Sequence, residues 1–204
     1  MASTKSGTGS HAPFHTEHVA PAKAGRASMI ASSRQTLRAL GHYDRYLACM
    51  TPAERTTIDQ AVAGMWVPIA TICAHYEVCE RLGLSVGQQI EMGRHLSKRM
   101  HHPVFAVGLR LVGAAGVTPW HLARQAEKVW PRMWDGGAFV VSNLGSKEAL
   151  IEIVGFPPAV IPYSRISWRG VILGGAELLS RRAYVNEIPA RCSATSLGFR
   201  LSWA

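Results

Sequence analysis

The side chains able to do chemistry in this 204-residue chain are four cysteines, nine histidines and thirteen carboxylates. The cysteines stand at 49, 73, 79 and 192, with no Cys-x-x-Cys pair and no zinc-ligand spacing. At 100° per residue, Cys73 and Cys79 lie about 120° apart on a helix, so they do not converge. His95, His101 and His102 are close in sequence, and His42 and His75 could approach them, but no His pair carries the HExxH spacing with a supporting carboxylate. His101-His102 before Pro103 fits a helix C-terminus, where a cation favours the negative end of the dipole. No GxSxG elbow, Walker loop or GxGxxG is present, and the carboxylates are too scattered for an acid/base pair. We therefore expect no catalytic residues, no protein-held metal site and no enzyme. One exception stays open: haem needs an axial ligand in a dry pocket, and His75 is the best single candidate for it.

The elements that position these residues follow from periodicity. Residues 1–28 are rich in Gly, Ser, Thr, Ala, Pro and His, and read as a disordered tail ahead of one domain over 29–204. They lack the apolar run of a secretory signal. Leu37, Leu40, Tyr43 and Leu47 make a helical stripe beginning near Arg34. "TPAE" at 51–54 and "SVGQ" at 85–88 are capping boxes. A helix opens near Pro68, with Ile69, Ile72, Cys73 and Tyr76 inward, and an amphipathic one runs to Met100. "VFAVGLRLVGAAG" is apolar on every face, the mark of a buried helix. Thr118 caps the next, with Pro119 in its first position.

After "DGG" the period falls from 3.6 to 2. "AFVVSNL", a turn, and "KEALIEIVGF" predict a β-hairpin; Arg165–Arg182 a long helix with Trp168, Ile172, Ala176 and Leu179 inward; and "EIPARCSA…FRLSWA" a second hairpin. In the last strand Phe199, Leu201 and Trp203 alternate with Arg200 and Ser202. The order predicts an α+β fold: an N-terminal helical layer packed on a small antiparallel sheet of two hairpins, with one crossing helix. Gly174-Gly175 would let that helix approach the sheet.

Apolar residues make up 48% of the chain, enough for a core, and the formal net charge is +9. The charge is dispersed, with local clusters only at Arg94–His102 and Arg181–Arg182, which favours a generally basic surface over a nucleic-acid footprint. A nucleic-acid-associated regulator remains the remoter alternative. The cysteine usage predicts a reducing, cytoplasmic setting, and no apolar run is long enough for a membrane span.

Residues of about 27–204 carry a resemblance. "GMWVPI" at 64–69 is similar to a Gly…Trp-Tyr-Pro-Leu helix start, "IEMGRHLSKR" at 90–99 to a Leu-Gly-Arg helix, "VWPRMWDGGAFVV" to a helix-to-sheet passage, "EIVGFP" at 152–157 to a second strand, and "WRGVILGGAELL" to a late helix. Together they resemble a family of uncharacterised single-domain myxobacterial proteins built like the 4-vinyl reductase small-molecule-binding domain, a cousin of haem nitric-oxide-binding and TRAPP-type domains. The C-terminal hairpin of that group often carries two Cys around a Gly; here Cys192 and Gly198 stand without a second Cys, so a two-thiol metal site is not expected. Tyr163-Ser164-Arg165 is similar, contiguous rather than alternate, to the Tyr-Ser-Arg pattern by which haem nitric-oxide sensors hold propionates; Ser164 reads as a helix N-cap.

The resemblance implies a non-catalytic module, sensory or scaffolding, that binds an apolar small molecule or a protein, with no cofactor required and haem as the alternative. The helices around 69–82 and 104–123 and the sheet should enclose a pocket lined by His75, Tyr76, Trp120, Phe139 and Ile151. Tyr43, Tyr46 and Trp66 offer aromatic surface for a homodimer.

Overall fold

The computed structural model describes residues 19–100 and 118–204. The predicted helix at "VFAVGLRLVGAAG", together with His101 and His102, lies outside the described residues. The fold is α+β, and its elements are β1 (Ala24–Arg26), α1 (Ser28–Ala39), α2 (Tyr43–Ala48), α3 (Pro52–Asp59), β2 (Trp66–Pro68), α4 (Ile69–Arg81), α5 (Val86–Met100), α6 (Pro119–Met133), β3 (Trp134–Asp135), β4 (Ala138–Gly145), β5 (Glu148–Val154), α7 (Pro162–Ala176), β6 (Ala183–Glu187) and β7 (Ser196–Trp203).

The first predicted hairpin forms as β4 and β5. The second forms with other bounds, since its strands are β6 and β7 and "EIPARCSA" is mostly their connection, with a 3-10 turn at Pro189–Arg191. Together the strands make one antiparallel sheet of order β4-β5-β7-β6. The strands that join the two hairpins, β5 and β7, pair in register, Ile151 opposite Phe199 and Ile153 opposite Leu197. Both pairs are buried, as are Leu201 and Trp203, while Arg200 stays outside. The alternation at the chain's end thus becomes one core face of the sheet. The sequence did not reveal a second, three-stranded sheet of order β2-β1-β3. Its strands have two or three residues each, too short to show a period. Its middle strand falls inside the span read as tail: Gly25 pairs with Val67 and Trp134, and a Cβ there would meet Ile72 Cδ1 at 2.5 Å.

The stripe from Leu37 to Leu47 is not one helix. Gly41, at φ +74°, turns the chain between α1 and α2, a conformation open to glycine at no steric cost. Both capping boxes form: Thr51 Oγ1 accepts from the Glu54 N–H while Glu54 accepts from the Thr51 N–H, and Ser85 and Gln88 do the same. In the "DGG" passage Gly136 (φ +99°) and Gly137 (φ +64°) take the left-handed backbone that turns the chain from β3 into β4.

Two corrections concern α7. It begins at Pro162 and ends at Ala176, short of Arg182, and Ser164 lies in its first turn rather than capping it. The Tyr163 N–H instead donates to the Glu80 carboxylate from α4. Gly170 and Gly174 of α7 serve helix α5 and not the sheet, while Gly175 comes nearest to Leu122 of α6. A Cβ on Gly170 would stand 2.1 Å from the Ile90 carbonyl oxygen, and one on Gly93 of α5 would stand 2.0 Å from the Ser167 carbonyl oxygen. Only backbone meeting backbone gives such distances. Glycine and serine spaced by four on both helices (Gly93 and Ser97; Gly170 and Gly174) let the two axes approach this closely. On its other side α7 packs against β6 and β7.

Candidate functional site

A cavity of about 330 Å³ lies between α6, α7 and the inner face of the four-stranded sheet. Helix α6 contributes Leu122, Ala123, Ala126 and Val129; α7 contributes Val171, Ile172 and Gly175; the sheet contributes Phe139, Ile151 and Leu201. Small residues face large ones across it, so the layers meet at their rims and leave space between. The rim is held by a cluster of aromatic rings. Trp130 stacks on Trp134 at 5.4 Å, Trp134 meets Phe156 edge-on at 5.1 Å, and Phe156 meets Trp168 edge-on at 5.7 Å. Pro131 cannot donate to the helix ladder. One turn earlier Glu127 accepts the Val141 N–H at 2.6 Å and ties α6 to β4.

Of the residues proposed from sequence, Phe139 and Ile151 line this cavity. Trp120 does not; it sits half-buried, with the Arg124 guanidinium 5.7 Å from its ring centroid. His75 and Tyr76 border a separate void of about 10 Å³, smaller than one water's share of liquid volume. The wall expected from α4 is absent because α7 packs against α4 and itself supplies that side of the cavity. Sequence reasoning reached only the start of α6, at Pro119, Leu122 and Ala123, and missed Ala126, Val129 and the lining from α7; the signal was the small residues Ala126, Gly175 and Ala176 on those helices.

His75 is buried at 2% exposure, and both ring nitrogens are engaged. Nδ1 lies 2.7 Å from the Tyr46 hydroxyl and Nε2 3.8 Å from Cys79 Sγ. Burial pushes its pKa down to about 3 and pushes the Tyr46 phenol and the Cys79 thiol upward, so all three are neutral at pH 7. The neutral imidazole donates from one of its nitrogens and accepts at the other, and Tyr46 and Cys79 can serve either role. Tyr43, Tyr46, His75, Tyr76 and Tyr163 form a continuous file of rings with centroids 5.4–6.0 Å apart. This is a packed structural cluster. Two of the aromatics proposed for self-association are absorbed into it: Tyr46 is fully buried, and Tyr43 is covered by Arg38 at 3.7 Å.

Cys192 is likewise structural. Its Sγ accepts from the Gly198 N–H at 3.5 Å. Gly198 lacks a side chain for a separate reason: a Cβ there would stand 2.5 Å from Arg191 Cβ. Arg191 crosses the strand at that point and donates to the buried Glu152 carboxylate at 2.8 Å. Arg165 is taken up by Glu187, so the Tyr-Ser-Arg stretch offers no free cation to an anionic group.

The described cavity lining presents no donor set suited to haem. Among the described residues it contains no His, Cys or Tyr; its soft atoms are the thioethers of Met29 and Met133. No group of three or more His, Cys, Asp or Glu among the described residues could hold a metal. These residues offer an apolar pocket without the imidazole, thiolate or phenolate that iron takes from protein.

No protein-family model and no curated protein matches the sequence. The fold does match solved structures. An Fe(II) unliganded H-NOX protein from K. algicida superposes with TM-score 0.62 at 10% identity, over 88% of this chain and 96% of that one. An oxygen-binding H-NOX domain related to soluble guanylate cyclases, in its oxygen complex, gives 0.59 at 13% identity, over 87% and 94%. A structure solved in work on haem redox potential and protein-induced porphyrin distortion gives 0.58 at 13%, over 87% and 94%. The chain has an H-NOX-like fold. Of the resemblance read from sequence, these structures support the haem nitric-oxide-binding part, at the level of fold; the 4-vinyl reductase and myxobacterial parts receive no support from them.

Proposed function

We propose that this chain is a non-catalytic sensory module that binds an apolar small molecule in the cavity between α6, α7 and the sheet. The observation that carries this reading is the cavity itself: about 330 Å³ walled mostly by aliphatic and aromatic side chains, with Ser97 and Gln125 among them, within the usual range of ligand pockets. The described residues contain no nucleophile–base pair beside it. A ligand bound only by the folded state raises the melting temperature by mass action. A panel of apolar probes and fatty acids should therefore shift the unfolding curve, and a flat response across the panel refutes the reading. Turnover of a specific substrate, abolished by one point mutation, would equally refute its non-catalytic part.

The H-NOX neighbours favour a second reading, a haem-centred sensor, over any other occupant of the site. Haem titrated into the purified chain should then give a Soret band that survives gel filtration. His101→Ala and His102→Ala, outside the described residues, test the ligand, since His75 is committed to Tyr46 and Cys79. Clean protein with no Soret band, together with a thermal shift from apolar probes, decides for the first reading.

Partner association belongs to the same proposal. With Tyr43 and Tyr46 withdrawn from the surface, Val62, Met65 and Trp66 remain as neighbouring exposed apolar side chains. A concentration-independent monomer in light scattering removes the homodimer. A cytoplasmic setting agrees with four free cysteines; no helix among the described residues is long and apolar enough to cross a membrane. Nucleic-acid binding is not proposed: on the basic helix α5, Arg94 is held by Glu177 and Glu91.

A further inference from the structure

Two polar side chains, Gln125 and Ser97, interrupt the cavity's apolar wall; Gln125 is exposed and Ser97 is buried. Ser97 is 1% exposed, it lines the cavity, and its Oγ finds no hydrogen-bond partner among the described residues. A serine inside a helix commonly returns its hydroxyl to the carbonyl four residues earlier, and this one does not. Its Oγ stands at the low point of the wall, where α7 carries a glycine. A Cβ built on Gly175 would lie 3.6 Å from Ser97 Oγ and 3.4 Å from Leu122 Cδ2, ordinary contact distances, so the room beside the hydroxyl is real. A buried donor left unmade is among the rarer defects of native proteins and calls for a reason. The described lining has no Lys, Arg or His, so a carboxylate seated there would be a buried charge without a counter-ion.

We infer that the cavity takes a neutral, largely apolar molecule bearing one carbonyl-type oxygen, seated with that oxygen on Ser97 Oγ and its body against Trp130, Trp168 and Phe139. This rests on the cavity being the ligand site, and it deepens that reading by naming the ligand class. The apolar body supplies affinity without direction; the single acceptor fixes orientation and selects among molecules of equal shape. An alkane-like analogue would leave the hydroxyl orphaned, the asymmetry by which polar sites reject isosteres.

The test uses the full chain and a matched pair of probes, 2-acetylnaphthalene and 2-ethylnaphthalene, which differ essentially in the carbonyl. Binding is followed by quenching of tryptophan fluorescence and confirmed by calorimetry. The ketone should bind about tenfold tighter, which is about 1.4 kcal/mol. Ser97→Ala should equalise the two probes while leaving 2-ethylnaphthalene unaffected. Ser97→Cys, which keeps a weak donor, should fall between. Should a variant not fold, the wild-type comparison decides alone. The anion 2-naphthoate should bind at least tenfold more weakly than the ketone. Equal binding of ketone and hydrocarbon, or naphthoate binding as well as the ketone, overturns the inference while the cavity remains a ligand site. Binding of neither neutral probe overturns the inference and the cavity reading together.

Discussion

At the scale of single residues, the buried side chains with chemical potential are spent on structure. His75 is the clearest case. In the unfolded chain its pKa is near 6.5, and in the fold it is about 3. The unfolded state therefore binds one more proton between those values. The stability that a neutral His75 lends is fully present above pH 6.5 and is lost as pH falls through that window toward 3. Denaturant unfolding followed from pH 7 to pH 4 should show this loss with a limiting slope of about 1.4 kcal/mol per pH unit from this residue. His75→Phe should remove that contribution to the slope, and a wild-type curve indistinguishable from the variant's would refute the assignment. The sequence singled out His75 as a candidate haem ligand and pocket residue, whereas in the fold both its ring nitrogens are engaged. The sequence could not show Tyr46, twenty-nine residues earlier, occupying Nδ1.

Among the elements, the contact that decides the architecture is α5 against α7. Gly93 and Gly170 abut backbone to backbone, with no flexible side chain to give way. Gly170→Ala should force the helices apart and destabilise the protein by about 3 kcal/mol, at the upper end for overpacking. Gly175→Ala on the same helix meets only ordinary contacts at 3.4 and 3.6 Å and should cost little. Thermal melts of the two variants side by side check this; equal changes would show that the crossing does not set the cost, since helix propensity alone would make both alanines slightly stabilising. The capping boxes at Thr51 and Ser85 and the hairpin periods were legible because each signal is local. The crossing was not, since a glycine inside a helix looks the same whether it faces a sheet, a helix or water.

On the scale of the whole molecule, the net charge of +9 loses its directional meaning. Arg34, Arg81, Arg94, Arg124, Arg165, Arg191 and Arg200 each pair with a carboxylate among the described residues. The feature of global consequence is the cavity, because filling it couples ligand to stability. Ala123 lines it from α6 at 8% exposure. Ala123→Leu places three more carbons into about 330 Å³ of space rather than into packed neighbours. We expect the melting temperature without ligand to hold within about 3 °C, a change under about 1 kcal/mol for a chain of this size, while the shift produced by apolar probes disappears. An undiminished probe shift in the variant would place the bound molecule elsewhere.

The sequence by itself determined what depends on neighbours in the chain. The switch from a period of 3.6 to a period of 2 after "DGG" marked the passage from helices to sheet. Thr51 with Glu54 marked a helix start, and Phe199, Leu201 and Trp203 marked a core-facing strand. It also determined the α+β class, since helices followed by two hairpins around one helix have few ways to bury their apolar faces. Tertiary structure alone decided what depends on residues far apart in sequence meeting in space. It joined the hairpins through β5 and β7, made a second sheet from strands of two or three residues, and set Tyr46 on His75. It also put α7, rather than the expected α4, on the cavity wall. The physical reason is common to all of these: an unpaired strand, an unsatisfied nitrogen or a small side chain states a need, and only the partner that meets it shows whether the outcome is packing or a pocket.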